Sequence, residues 1–424
     1  MAKAQFDLLK SRRFLPIFLT QFLGAFNDNA FKNALVILLT YKIGFDSGMD
    51  TGILITAAAG IFILPFFLFS AIAGRLADVL DKAFLTRIIK MVEIVLMLAA
   101  VIGFYTSNIF LLMCILFLMG THSAFFGPIK YAILPDYLKQ DELIGGNALV
   151  EAGTFLAILS GTIFGGILVL QESGLEKISG LVVGAAVAGY ISSRFMAPTS
   201  TQRDRIQVKW NIFSETMEIL RFVSADKKTF LPILGISWFW LLGFTFLAQF
   251  PLYVRDILRA DETVVTLFLS VFSIGIAFGS LLCNRLLRGR ISALYVPLGA
   301  WGMTAAISLF CFFSPSGLDH QELIGISEFL PDIGNIFILA SLLAIAVFGG
   351  IYIVPLYALM QMNSPTGHRS RTVAANNILN ALFMVLASVA VVLLLKAGLS
   401  VIGIFLLLAA LNIPVALYAR RLAA

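Results

Sequence analysis

Apolar runs of about 20 residues recur along the whole chain, and each is long enough to cross about 30 Å of hydrocarbon. Of the 424 residues, 59% are hydrophobic and 13% are charged, whereas a soluble chain carries about 25% charge. A soluble core cannot bury this much apolar surface, so the sequence predicts an all-α integral membrane protein with twelve transmembrane helices. The predicted spans lie near residues 14–40, 52–74, 83–105, 108–136, 143–170, 175–196, 229–254, 263–287, 291–313, 332–360, 372–397 and 399–419.

One polar stretch divides these spans into two sets of six. The segment "APTSTQRDRIQVKW" predicts a loop, and "WNIFSETMEILRFV" predicts a short amphipathic surface helix. We therefore predict an N-terminal six-helix half over residues 1–197, a cytoplasmic linker over 198–228 and a C-terminal six-helix half over 229–424.

Lysine and arginine are sorted to one side of the predicted membrane. Because short cytoplasmic loops carry an excess of these residues, the asymmetry places both termini and the linker in the cytoplasm. The net charge of +6 follows from this sorting and calls for no nucleic-acid partner. The first apolar run is predicted to be a retained helix rather than a signal peptide. The predicted inner cations are Lys3, Lys10, Arg12, Arg13, Arg75, Lys82, Arg87, Lys90, Lys139, Arg194, Arg203, Arg205, Lys209, Arg221, Lys227, Lys228, Arg285, Arg288, Arg290, Arg369, Arg371, Arg420 and Arg421, and the outer ones are Lys42, Lys177, Arg255, Arg259 and Lys396.

The two halves contain a weak internal repeat. "PIKYAILPDYL", which begins at Pro128, is followed by "GGNALVEA", and "PLYALMQM", which begins at Pro355, is followed by "AANNILNA". With its two six-helix halves and basic linker, the chain resembles the major facilitator superfamily. This resemblance implies parallel halves with a substrate site between them, near the membrane midplane.

The loop after the second span supports this resemblance. "GRLADVLDK" is similar to the superfamily signature G-x-x-x-D-R/K-x-G-R/K, with departures at two of its positions. The resemblance implies that Asp78 faces the start of helix 11 and latches the inner gate there. A solvated charge at a helix end is the alternative for Asp78. In the second half Cys283 replaces the corresponding acid, so we expect a single latch. The predicted gating residues are Arg75, Asp78, Lys82, Arg369 and Arg371.

Within the superfamily, the chain resembles the lysophospholipid transporters. The similar segments are "QFLGAFNDNAFKNAL", "FFGPIKYAILPDYL" and "NALVEAGTFLAILSGTIFGGIL". This resemblance implies inward flipping across the bacterial inner membrane to a cytoplasmic reacylating enzyme. Some relatives are fused to an acyltransferase, which needs an H-x-x-x-x-D motif. None of His122, His320 and His368 has Asp five residues later, so we expect no acyltransferase here.

Helix 1 carries an acid, a base and three amides within "FNDNAFKN". Gln21, Asp28 and Lys32 fall on one face of a helix. Asp28 and Lys32 are one turn apart, so one interpretation is a self-neutralised structural pair. The other is a wall of a water-filled substrate pathway, where charges inside a membrane usually lie.

Helices 4 and 5 add further polar side chains. Lys130 lies in an apolar run and either snorkels or borders a cavity. Asn147, Glu151 and Thr154 form one stripe of helix 5, and one interpretation is an interhelical ion pair between Glu151 and Lys130, although the sequence leaves open which acids and bases pair. His122 is predicted to be a satisfied core histidine rather than a proton carrier.

The C-terminal half lacks charge at its predicted midplane. Helix 7 is apolar where the family resemblance leads us to expect a basic residue, at about Leu247. The predicted cavity is therefore charged on its N-terminal wall and apolar or amide-lined on the other, which suits an amphipathic substrate. The predicted substrate-binding residues are Asp28, Asn29, Lys32, Lys130, Asn147, Glu151, Gln249, Asn376 and Asn380.

These features predict a monomeric secondary-type transporter of lysophospholipids that contacts membrane lipids and supplies a cytoplasmic acyltransferase. One alternative is a proton- or ion-coupled carrier of a small metabolite or drug, with Asp28 or Glu151 as the protonatable group. Another is a non-transporting membrane module that recruits an acyltransferase. No catalytic triad, metal-spaced cluster or phosphate-binding glycine loop occurs in the sequence, so we expect neither an enzyme nor a cofactor. Headgroup preference and coupling stay open.

Overall fold

In the computed structural model, described residues are 2–39, 51–199, 211–315, 323–365 and 367–423. Over these ranges the chain forms twelve helices of 18 residues or more and no strand, which confirms the predicted all-α fold. The twelve helices are α1 (Leu15–Leu38), α2 (Thr51–Val79), α3 (Lys82–Thr106), α4 (Ile109–Ala132), α5 (Leu143–Leu170), α6 (Gly174–Arg194), α7 (Lys227–Asp256), α8 (Glu262–Leu287), α9 (Val296–Phe313), α10 (Ile333–Asn363), α11 (Arg369–Lys396) and α12 (Val401–Ala423).

Eleven of these helices are long and apolar enough to cross a membrane, as judged by length and composition over the described residues. The exception is α1, whose middle carries the acid, base and amides noted above. The chain is thus a multi-pass membrane protein. The predicted fourth span is shorter than expected, because α4 ends at Ala132 and a separate turn of helix, Leu134–Tyr137, follows it.

Two shorter helices lie at the end of the bundle that we call the linker side. The predicted surface helix forms over Ile212–Ala225 and is here named the linker helix, and a short N-terminal helix covers Ala2–Asp7. Most of the predicted polar loop, residues 200–210, lies outside the described residues, as do Lys42 and His320.

Polar side chains at the helix starts explain where several spans begin. Asp81 accepts from the amide of Phe84 at the start of α3, and Asn108 accepts from Leu111 at the start of α4. Asp226 does the same at the start of α7. Each cap satisfies an amide that a helix leaves unpaired at its N-terminus.

Small residues let the helices approach closely, and the halves use them similarly. In the N-terminal half, Gly120 of α4 lies against the backbone of Phe62 on α2. In the C-terminal half, Gly350 of α10 lies against the backbone of Ile276 on α8. Helix association in lipid relies on such close packing because apolar burial gives little driving force there.

The halves meet through α5 with α8 and through α2 with α11. On the linker side, Gly74 of α2 faces the backbone of Ser370 and the side chain of Ala374 on α11. Gly145 of α5 likewise faces Asn284 on α8. These contacts bring the halves together beneath the space that contains the polar residues.

Substitution of a glycine between α5 and α1, both in the N-terminal half, tests this close packing of helices. A Cβ at Gly165 of α5 would collide with the backbone of Ala30 on α1, so Gly165→Ala should cost about 1–3 kcal/mol and lower the Tm in detergent. At Gly184 of α6 a Cβ would meet nothing within 4 Å, so Gly184→Ala should leave the Tm unchanged or raised. Equal Tm values for the two variants would contradict the packing.

A charged cavity between the two halves

A cavity of about 340 Å³ lies between the two halves. Its N-terminal wall comes mainly from α1, α2 and α4, and its C-terminal wall from α7, α10 and α11. The charged and imidazole side chains that line it are all on the N-terminal wall, namely Asp28, Lys32, Lys90, His122 and Lys130. The opposite wall is aromatic, apolar or amide-bearing and consists of Trp240, Phe244, Tyr357, Asn377, Asn380, Ala381 and Met384.

Asp28 is held by a neighbouring helix and not by Lys32. Its Oδ2 accepts a hydrogen bond from Ser123 Oγ of α4 at 2.5 Å. Lys32 Nζ donates to Asn29 Oδ1 at 3.2 Å and lies 5.3 Å from the ring of Phe62. Within the described part of the chain, Asp28 Oδ1 is buried without a hydrogen-bond partner. The self-neutralised pair that helical spacing allowed therefore does not form.

The ion pair between Lys130 and Glu151 that the sequence allowed does not form either. Lys130 Nζ donates to Thr154 Oγ1 at 2.7 Å, whereas Glu151 Oε2 accepts from the hydroxyl of Tyr131 at 2.6 Å. Consecutive helical residues point about 100° apart, so α4 directs Tyr131 at Glu151 and leaves Lys130 beside the cavity.

Sequence reasoning missed a buried charged cluster on α3. Glu93 Oε2 lies 2.6 Å from Lys90 Nζ and 3.2 Å from His122 Nε2, and its Oε1 accepts from Asn27 at 2.8 Å. Both Lys90 and Glu93 are fully buried. The sequence analysis placed Lys90 among the loop cations, whereas it lines the cavity. The signal for this was Glu93, an acid three residues later in the same apolar run.

His122 is buried as expected, but it also lines the cavity. Its Nε2 lies 3.2 Å from a carboxylate oxygen of Glu93. Its Nδ1 has no hydrogen-bond partner among the described residues. Asp28 Oδ1 and His122 Nδ1 are thus two buried polar atoms at the cavity wall that can hydrogen-bond a bound molecule.

Four predicted binding residues do not line the cavity, and one of them is Glu151, which is fully buried against Tyr131. Asn147 forms a buried pair of hydrogen bonds with Gln361 of α10, each at 2.8 Å. Asn376 is fully buried beside Tyr357, and Gln249 is not among the residues that line the cavity. A polar stripe identifies one face of a helix but not the helix that covers it.

An aromatic floor, formed by Tyr131, Tyr357, Trp240 and Phe155, closes the cavity towards the linker side. Tyr131 and Tyr357 stack with ring centroids 4.0 Å apart and planes 9° from parallel. Trp240 Nε1 donates to the Tyr357 hydroxyl at 3.0 Å, and Phe155 stacks on Trp240. The two stacked tyrosines lie in the two segments of the internal repeat, one in each half.

Below this floor, Asp78 bridges the halves at the start of α11. Its Oδ1 accepts from the amide of Ser370 at 2.8 Å, and its Oδ2 accepts from the amide and Nε of Arg371 at 3.2 and 3.1 Å. Lys82 and Arg369 both contact Asp136, at 2.9 and 3.6 Å. We call this set of ion pairs the linker-side latch.

Arg75 contacts the linker helix rather than α11. Its guanidinium lies 2.6 Å from Glu215 and 2.8 Å from Glu218. Phe222 of the same helix contacts the ring of His368 at the start of α11, with 5.1 Å between ring centroids. Burial lowers the pKa of His368, which favours a neutral ring beside the latch. The linker helix therefore braces both sides of the latch.

Two six-helix halves around a polar cavity define a membrane transporter. The sequence model of the Major Facilitator Superfamily matches residues 17–388, and the chain belongs to that superfamily.

Curated relatives match the chain over most of its length. The lysophospholipid transporter LplT of Enterobacter sp. (strain 638) is 28% identical over 93% of this chain and 92% of its own. The transporter of the same name from Cronobacter sakazakii is 26% identical over the same shares.

Solved structures show the same fold. FucP, the fucose:proton symporter of E. coli, superposes in its outward conformation with a TM-score of 0.73 at 11% identity, over 98% of this chain and 100% of its own. A bacterial homologue of the iron transporter ferroportin in an outward-facing state gives 0.69 at 14% identity, over 95% and 98%.

Removal of one member of the α3 cluster should be more harmful than removal of two. Glu93→Gln leaves Lys90 buried without its carboxylate and should cost about 3–5 kcal/mol, measured as a lower Tm of the purified protein. The double variant Lys90→Met, Glu93→Gln removes both charges and should recover most of that loss. If the single and double variants have the same Tm, the two charges do not stabilise each other.

Loss of the latch acid should open the linker side. Ser370 is fully buried at the latch, so a Ser370→Cys probe in an otherwise cysteine-free chain should react slowly with a maleimide. Asp78→Asn weakens three hydrogen bonds and should speed labelling about tenfold, which corresponds to about 1.4 kcal/mol. The control Asp256→Asn removes an exposed acid at the other end of the bundle and should change nothing. Unchanged labelling in Asp78→Asn would exclude the latch.

Proposed function

We propose that this chain moves lysophospholipids across the bacterial inner membrane by alternating access. The observation that carries the proposal is the cavity itself, with charged groups on one wall and aromatic and apolar groups on the other. The LplT relatives, which are named for lysophospholipid transport, support the same substrate class. A lysophospholipid has one charged headgroup and one acyl chain, so it matches both walls.

The two lysines that lack a carboxylate partner are the proposed phosphate ligands. Among the described residues, Lys32 donates to Asn29 and Lys130 to Thr154 and to no other acceptor, so each ammonium keeps donors for an anionic oxygen. Hydrogen bonds between an ammonium and a phosphate are strong because both partners are charged. Lys90 differs, because Glu93 already neutralises it.

The two unpartnered polar atoms are the proposed ligands of the rest of the headgroup. Asp28 Oδ1 can accept hydrogen bonds from an ethanolamine ammonium or from glycerol hydroxyls, and His122 Nδ1 can hydrogen-bond the hydroxyls. Their burial makes an unpaired state costly, so a headgroup with donors is favoured over one without. The acyl chain would then lie against Phe244, Ala381 and Met384 of the opposite wall.

The sorting of basic residues supports a cytoplasmic linker side, and therefore a cavity that loads from the periplasmic side. The aromatic floor and the latch would separate to release the lipid for reacylation in the cytoplasm. We propose that one chain suffices, because the cavity is built from both halves of the same chain.

One observation favours a second candidate, a proton-coupled carrier of a small solute. Asp28 Oδ1 and His122 Nδ1 could bind a proton as well as a headgroup donor. Under this alternative, transport would follow a pH gradient and an acyl chain would be unnecessary.

Uptake of labelled lysophosphatidylethanolamine into proteoliposomes tests the proposal. Asp28→Asn and Lys130→Ala each remove a charge-assisted contact worth about 1.5–3 kcal/mol, so uptake should fall about 10- to 100-fold. The control Arg255→Gln changes an exposed cation away from the cavity and should transport normally.

Size-exclusion chromatography would establish that each variant is folded. The proposal would be overturned if the wild-type protein moved no lysophospholipid. Movement of a soluble solute that collapses an imposed pH gradient would then favour the second candidate.

A further inference from the structure

A second and larger cleft lies outside the central cavity, on the linker side. Its volume is about 740 Å³, and it is bounded by the N-terminal helix with its following turn and by the last turns of α8. None of its lining residues belongs to the central cavity. The transport proposal assigns it no role.

The cleft is amphipathic. Lys10 and Arg285 provide its cations, while Phe6, Phe278 and Leu282 provide its apolar surface. Phe6 and Phe278 are 49% and 58% exposed, so each ring presents about half of its surface outside the protein. In a membrane, cations at the end of an apolar helix surface lie at the level of the lipid headgroups, and the apolar surface lies beside the acyl chains.

The N-terminal helix, which forms one side of the cleft, contacts α8 of the C-terminal half. Gln5 of the N-terminal helix accepts a hydrogen bond from Asn284 Nδ2 of α8 at 3.1 Å, and both side chains are at least 90% buried. Gly145 of α5 lies against this contact, because a Cβ there would be 3.4 Å from Asn284 and 3.5 Å from Gln5, which is ordinary van der Waals distance. A molecule in the cleft would touch α8 and the segment that ties α8 to the N-terminal half.

We propose that this cleft binds an anionic phospholipid of the surrounding leaflet. Its phosphate would contact Lys10 and Arg285, and one acyl chain would lie along Phe278 and Leu282. Asp7 lies 3.6 Å from Lys10 and competes with the lipid phosphate for that ammonium. Because the lipid spans the junction of the halves, it stabilises the arrangement closed on the linker side.

Thermal unfolding of the purified protein in neutral detergent tests this site without measuring transport. Cys283 and Cys311 are buried, so a thiol-reactive dye reports unfolding. Phosphatidylglycerol should raise the Tm by about 2–4 °C more than phosphatidylcholine with the same acyl chains. Inorganic phosphate should give no such rise, because it lacks the acyl chain.

Matched variants separate the cleft from general surface charge. The double variant Lys10→Gln, Arg285→Gln should lose most of the phosphatidylglycerol effect, and Phe6→Ala should weaken it without a change in charge. Asp7→Asn should enlarge it, because the competing carboxylate is gone. The control Arg221→Gln removes an exposed linker-helix cation outside the cleft and should keep the full effect.

Equal Tm rises with the two lipids would overturn the proposal, as would a full phosphatidylglycerol effect in the double variant. If the double variant does not fold, Asp7→Asn and Phe6→Ala decide the question through their opposite expected signs. Neither result depends on which substrate the central cavity transports.

Discussion

Glu93 is the residue on which the polar wall of the cavity depends. A carboxylate buried within a membrane is costly unless it is paired and hydrogen-bonded. Glu93 meets both conditions by contacting Lys90, His122 and Asn27, so α1, α3 and α4 share one anchor. Because Glu93 neutralises Lys90, the groups left to face a substrate are Asp28, His122 and two lysines without a carboxylate partner among the described residues.

The two halves share a fold but differ in their charge. Tyr131 and Tyr357 come from the two segments of the repeat, one in each half, and meet face to face in the floor of the cavity. The latch has no such symmetry, since Asp78 contacts α11 while its counterpart Cys283 is a buried thiol. The stacked tyrosines of the floor come from the segments that the halves share. The charged residues that line the cavity, in contrast, all belong to the N-terminal half. A charged wall facing an apolar wall is what an amphipathic substrate needs.

The sequence predicted the helices well because apolar length decides where a membrane chain crosses. It also identified Asp28, Lys32 and Lys130, since charges in an apolar run stand out. It failed where the neighbour of a side chain mattered. Lys90 was assigned to a loop because counting basic residues does not measure depth, and Asn147 was assigned to the cavity because helical periodicity does not show that Gln361 covers it. Such pairings depend on how the helices rotate and pack.

The central claim is that the charged wall binds a lysophospholipid headgroup, and photo-crosslinking tests it most directly. A lysophosphatidylethanolamine with a photoreactive headgroup would be irradiated with the purified protein in nanodiscs, and adducts would be mapped by mass spectrometry. The account predicts adducts on α1 and α4 near Asp28 and Lys130 that excess unlabelled lysophosphatidylethanolamine removes. Adducts confined to lipid-facing residues such as Val95 and Val389, or adducts that competition does not reduce, would contradict it.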